Sequence, residues 1–177
     1  IDTAGVANIA GAVGAGGNAL DQLTVTQSGG TSFGSTVDAK QITISDTAAA
    51  ATVAFTGNTN ATAGMTVTGT GNAYNVSMTG GTNTIAGITT FANTGAVTLG
   101  DGGDTLAFTG GVIATAPSGI NLNGTVTAAG VGVITLGDAD TGVAVGGNSV
   151  VGGVATGAIT LGAATLADGV SLTAGTG

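Results

Sequence analysis

The sequence predicts an all-β fold, a parallel β-solenoid (β-helix) of about seven coils of 19–24 residues. Three observations predict it. Apolar-x-apolar triplets recur along most of the chain, each placing two apolar residues on one face of a short strand. Turn-forming pairs such as Gly-Gly, Gly-Asp, Asn-Gly and Gly-Asn separate many of them. Large side chains are scarce, with four Phe, one Tyr and no Trp, so the interior must be narrow and built from like residues stacked on like.

The elements follow in order. Residues 1–21, IDTAGVANIAGAVGAGGNALD, place Val6, Ile9 and Val13 at loose helical spacing, but five Gly within residues 5–17 weaken a helix. This stretch is expected to be an N-terminal cap or a degenerate first coil. Residues 22–177 form the solenoid repeat region. Its first triplets are Leu23-Val25, Ile42-Ile44, Val53-Phe55, Met65-Val67, Val76-Met78 and Val97-Leu99. Then come Leu106-Phe108, Ile120-Leu122, Ile134-Leu136, Val143-Val145, Ile159-Leu161 and Val170-Leu172. The middle residue is often Thr and points outward. The chain divides into units 22–40, 41–63, 64–87, 88–111, 112–130, 131–153 and 154–177. A period near 22 residues made of two or three short strands marks a solenoid coil. AVTLGDGGDTLAFTGG, VITLGDADTGVAVGG and AITLGAATLADGVSLTAG share a Thr-Leu-Gly element at Thr98–Gly100, Thr135–Gly137 and Thr160–Gly162. A β-sandwich is the competing architecture, but its strands run to five or six residues and its core needs more large side chains. TAAAAT at 47–52 reads as a tight bend, being too short for a helix.

Composition excludes several function classes. Hydrophobic residues make up 42% of the chain, too much for a disordered low-complexity segment. The net charge is −8; all nine acids are Asp, and Lys40 is the only cation. Nucleic acid is therefore not an expected partner, nor is an anionic lipid surface. Membrane insertion is not expected either, because no 20-residue apolar run occurs and the aromatic girdles of a membrane barrel are missing. No signal peptide is visible, and a chain opening on Ile1 reads as a mature or excised segment. Without His, Cys, Glu or Arg the usual acid–base and nucleophilic sets cannot be assembled, so the chain is read as no enzyme. Lys40 is expected to pair with its neighbour Asp38 on the surface.

The sharpest motif is GDGGD at 100–104. LGDGGDTL partly resembles the calcium-binding nonapeptide of RTX proteins: Gly100, Gly102, Asp104 and Leu106 fit their columns, while Leu99 stands where the first Gly belongs. Carboxylates and turn carbonyls are hard ligands suited to calcium. Consecutive nonapeptides are needed, however, and GDADTG at 137–142 does not repeat the pattern. The expected role is a corner of the repeat. No cofactor is expected beyond a possible calcium ion, for which Asp101, Asp104, Asp138 and Asp140 are the candidate ligands. Thr24/Thr26, Thr43/Ser45, Thr66/Thr68 and Thr125/Thr127 form outward T-x-T pairs that resemble ice-binding surfaces of β-solenoid antifreeze proteins; Thr is also simply a good strand former. Asn60-Ala61-Thr62, Asn75-Val76-Ser77 and Asn123-Gly124-Thr125 match the glycosylation triplet.

The T-L-G, G-N-T-N, V-T-G-T and L-T-A-G units over residues 22–177 resemble bacterial surface β-solenoid proteins of the filamentous-haemagglutinin and autotransporter-passenger type, with a composition similar to that of S-layer proteins. The resemblance is one of composition and period and transfers no functional residue. It implies an extracellular location at a bacterial cell surface and a rigid stalk or adhesin segment that meets a host or neighbouring cell. The alternative is a self-assembling subunit of an S-layer or filament, associating end to end with itself or with neighbouring solenoid segments. An ice-binding solenoid is the lesser alternative. An adhesin segment is expected to bind through loops that break the repeat, and residues 112–130, with Pro117, read as the most irregular coil.

Overall fold

The computed structural model describes residues 1–153 and 157–176. Short strands alternate with tight corners, and each strand hydrogen-bonds in parallel to its counterpart one coil away. All paired strands are parallel and no helix occurs among the described residues. The fold is a β-solenoid of about seven turns. At about 4.8 Å per rung, its longest ladder extends about 34 Å.

Each coil has three faces. The first face carries Leu20–Val25, 41–44, 64–67, Thr89–Thr90, Gly111–Ala114, Val133–Leu136 and Ile159–Leu161. The second carries Ala7–Ile9, Thr31–Phe33, Thr52–Phe55, Asn75–Met78, 97–99, 120–122, Val143–Val145 and Ala164–Leu166. The third carries 37–39, 59–61, Thr82–Ile85, 105–108, 124–127, Ser149–Gly153 and Leu172–Thr176. First-face strands begin close to the unit boundaries read from the sequence; the boundary at 154 lies outside the described residues. Residues 1–21 contribute a strand too: Ala7–Ile9 pairs with Thr31–Phe33, and Val13 bridges to Val37.

Inward residues stack in register. On the second face Phe33, Phe55, Met78, Leu99, Leu122 and Val145 succeed one another rung by rung, all buried. Phe33 and Phe55 stack with ring centroids 4.9 Å apart, and Phe91 meets Phe108 edge-on at 6.1 Å. The few aromatics thus cluster in the interior, where each contributes the most buried area.

Several third-face segments carry no apolar triplet. Thr59–Val67 begins by pointing Thr59 inward, and Thr82–Ile85 points Asn83 inward. Asn83 works as a corner clip. Its amide nitrogen donates to the Gly80 carbonyl at 2.5 Å and its oxygen accepts the Thr59 N–H at 3.0 Å, joining two coils. Buried corner carbonyls and N–H groups need such partners. Thr141, which donates to the carbonyls of Thr115 and Pro117, does the same at another corner.

Two local expectations are corrected. Residues 112–130 are not the most irregular coil: Gly111–Ala114 and Ile120–Thr127 pair with both neighbours, the one register shift being the extra residues that the preceding coil inserts between Leu99 and Asp104, and Pro117 is buried at a corner, where a fixed φ and a missing N–H do no harm. The triplet Val170-Leu172 is not wholly strand, since Val170 lies in the turn and the strand starts at Leu172.

Candidate functional site

The acidic motif GDGGD sits at the corner between the second and third faces. Leu99 pairs with Leu122 and Asp104 with Gly124, so residues 101–103 have no counterpart in the next coil and stand out from the corner. Gly100, at φ +82°, makes the turn; a Cβ there would collide with the Asn123 carbonyl. Asp104 is buried, 6% exposed. Its carboxylate accepts the N–H of Asp101 at 2.6 Å and that of Gly102 at 3.3 Å. The bulge is thus tied down by its own last residue. Asp101 is exposed, and the hydrogen-bonded carboxyl of Asp104 beside it holds its pKa above the usual carboxylate range.

Asp138 and Asp140 lie on a different corner, between the first and second faces. Asp138 accepts the N–H groups of Asp140 and Thr141, both at 2.9 Å. The four candidate calcium ligands therefore form two separated pairs, each with one carboxylate already capping its own turn. Calcium takes about six to eight oxygen ligands. Among the described residues no group of three or more His, Cys, Asp or Glu converges to hold a metal, so neither pair alone fits a filled calcium shell. Lys40 pairs with Asp21 of the preceding coil at 2.5 Å, not with Asp38: Asp21 stands opposite Lys40 between the paired Leu20–Ala39 and Gln22–Gln41, and a neighbouring rung, about 4.8 Å away, is closer than a residue two positions along the strand, about 6.6 Å away.

The outward Thr residues segregate by face. Thr24, Thr43, Thr66 and Thr90 form one column on the first face, continued through Ile113 to Thr135 and Thr160. Three of the T-x-T pairs lie there on successive rungs. Thr125/Thr127 lies on the third face instead, so the four pairs do not make one plane. Thr68 turns its hydroxyl onto the Ser45 carbonyl at 2.6 Å.

The second face is shaped differently. Its outward column runs Asn8, Ser32, Ala54, Ser77, Thr98, Asn121, Ala144 and Thr165. At Ala144 the surface dips, because the outward residues on either side of it along the strand are Gly142 and Gly146. Two hollows of about 380 and 470 Å³ lie over this rung and share Asn121, Ala144 and Thr165 as lining. Ser118 borders the first hollow; Asn123 and Asp101 border the second. The sequence barely announces this feature, since the residues making it come from four coils. The one visible signal was GVAVG at 142–146, the smallest outward set on any second-face rung.

Comparison with known proteins finds no matching family model, no matching curated protein and no matching solved structure.

Proposed function

We propose that the chain is a structural and adhesive segment of a secreted bacterial cell-surface protein: a rigid repetitive rod that displays its outer faces to a host or neighbouring cell, without catalysis. The observation that carries this reading is the unbroken register. The second-face ladder runs through eight successive strands from Ala7–Ile9 to Ala164–Leu166. Backbone pairing of this kind resists bending and leaves every outward residue at a fixed place. A low charge content of 6% and the absence of Cys suit a rod that holds together without disulfides or ion-pair networks.

A second reading is favoured by one observation. In the last coil the inward residues are incompletely covered: Leu166 is 42% exposed, and Ile159, Leu161 and Leu172 are only half-buried. An open strand edge over such residues is a template for pairing, so end-to-end stacking with itself or with neighbouring solenoid segments is the alternative, with calcium at the acidic corners as a possible aid. Small-angle scattering and light scattering in calcium and then in EDTA separate the two. A monomeric elongated particle in both buffers supports the displaying rod. Large assemblies that dissolve in EDTA support calcium-assisted assembly and count against the primary reading.

A further inference from the structure

The hollow over the Val143–Val145 rung is the place where this solenoid is shaped to hold something. Its floor is Gly142, Ala144 and Gly146, all exposed. Asn121 lies in register with Ala144 on one side and Thr165 on the other, so the trough runs along the strand between two polar walls. Glycine at 146 is open: a Cβ there meets nothing within 4 Å. Asn123 closes one end, its amide lying over the backbone of Gly147, where a Cβ would strike it. A smaller hollow, about 270 Å³, lies towards the other end of the same face, over Gly30 and Ser32, with Asn8 on one side and Thr52 and Ala54 on the other.

The chemistry of the walls narrows the ligand. Asn121 donates from its amide nitrogen to the Thr98 hydroxyl at 3.3 Å, which leaves its amide oxygen as an acceptor facing solvent. Asn123 and Thr165 each add donor and acceptor capacity. The one charged group on the border is the exposed carboxylate of Asp101, and the chain's sole cation, Lys40, is on another face. An anionic ligand would meet a negative rim on a chain of net charge −8. The floor carries no aromatic or large aliphatic side chain; the one exposed large aliphatic on the border, Leu166 at the second hollow, is too small a platform for a wholly apolar ligand. Amides, hydroxyls and one carboxylate, spaced along an extended trough, pair with the alternating hydroxyl donors and acceptors of a neutral sugar chain.

We infer that the trough over Gly142, Ala144 and Gly146 binds a linear neutral oligosaccharide, which lies along the strand with Asn121 and Asn123 on one wall, Thr165 on the other, and Asp101 accepting a sugar hydroxyl at one end. This rests on the reading of the chain as a displaying rod and gives that display a ligand class.

The test is an array of immobilised linear neutral oligosaccharides, with sulfated and sialylated glycans alongside, probed with the whole chain and three variants. Ala144→Trp fills the trough from an exposed position. Asn121→Ala with Asn123→Ala strips one wall. Ala54→Trp places the same bulk on the same face four rungs away. Wild type and Ala54→Trp are expected to retain neutral glycans. The two trough variants are expected to lose about tenfold or more in affinity, with unchanged β circular dichroism. Retention of no neutral glycan overturns the inference, as does binding of acidic glycans alone or equal binding by Ala144→Trp. None of these results would disturb the rod reading, whose scattering test is independent of any sugar.

Discussion

The rung at 120–122 and the rung at Ala164–Leu166 belong to the same ladder and carry the same alternation, yet one is interior and the other is not. Ile120 and Leu122 are 1% and 0% exposed, whereas Leu166 is 42% exposed. AITLGAATLADG reads as convincingly as a strand-and-corner unit as any sequence in the chain. The difference is that the rung at 120–122 has a partner on each side and the last has a partner on one side only. Burial in a solenoid is therefore a property of neighbours, and each coil's stability is a sum of its own terms and its interfaces.

The largest expected effect contrasts Phe55→Ala with Leu166→Ala. Phe55 is fully buried and stacked on Phe33, so truncation is expected to cost about 3–5 kcal/mol. Leu166→Ala is expected to cost about 1 kcal/mol or less. Urea unfolding followed by circular dichroism measures both, and equal losses would mean that the two coils are equally packed.

Next come two corner glycines. Gly100 combines φ +82° with a Cβ that would strike the Asn123 carbonyl, while Gly169, at φ +73°, faces open space. Gly100→Ala is expected to cost about 2 kcal/mol or more and Gly169→Ala about 1–2 kcal/mol. The same unfolding curves compare them.

A smaller effect has the opposite sign. The Thr59 hydroxyl is buried without a hydrogen-bond partner, whereas the buried Thr47 hydroxyl donates to the Ala49 carbonyl. Thr59→Val keeps shape and removes an unsatisfied oxygen, so it is expected to stabilise by about 1 kcal/mol; Thr47→Val is expected to destabilise by about as much. Thermal melts of the pair decide this.

The smallest effect is a pH dependence. A carboxyl whose folded pKa lies above its unfolded value disfavours the folded state once ionised. The penalty from Asp101 is therefore absent below the unfolded pKa, near 4, and fully present once pH exceeds the raised folded value. Relative to Asp101→Asn, wild type is expected to lose melting temperature as pH rises from about 3 to 6. A difference independent of pH would contradict the Asp101–Asp104 contact.

The regular part of the fold could be read from the chain because period-two alternation and turn residues are local signals. Ile42-Thr43-Ile44 and Val97-Thr98-Leu99 declare their inward and outward faces by themselves. What could not be read is which strand lies on which face. Thr98–Gly100 and Thr135–Gly137 look like copies of one unit, but 97–99 belongs to the second face and Val133–Leu136 to the first. The third-face segments with inward Thr59, Asn83 or Ser149 give no such local signal, because polar residues facing inward are justified only by a corner in the next coil. The acidic corner is legible in GDGGD as a corner; the trough is not legible beyond the small residues of GVAVG, since only stacking brings Asn121, Ala144 and Thr165 together.

The central claim is a rod whose coils hold one another in register, and pulling a single molecule by its two ends tests it most directly. The account predicts resisted, stepwise release of whole coils, each lengthening the chain by about 65–80 Å for 19–24 residues, with the last coil, where Leu166 is exposed, yielding before the phenylalanine-stacked ones. Smooth extension at low force, without steps of that size, would contradict it.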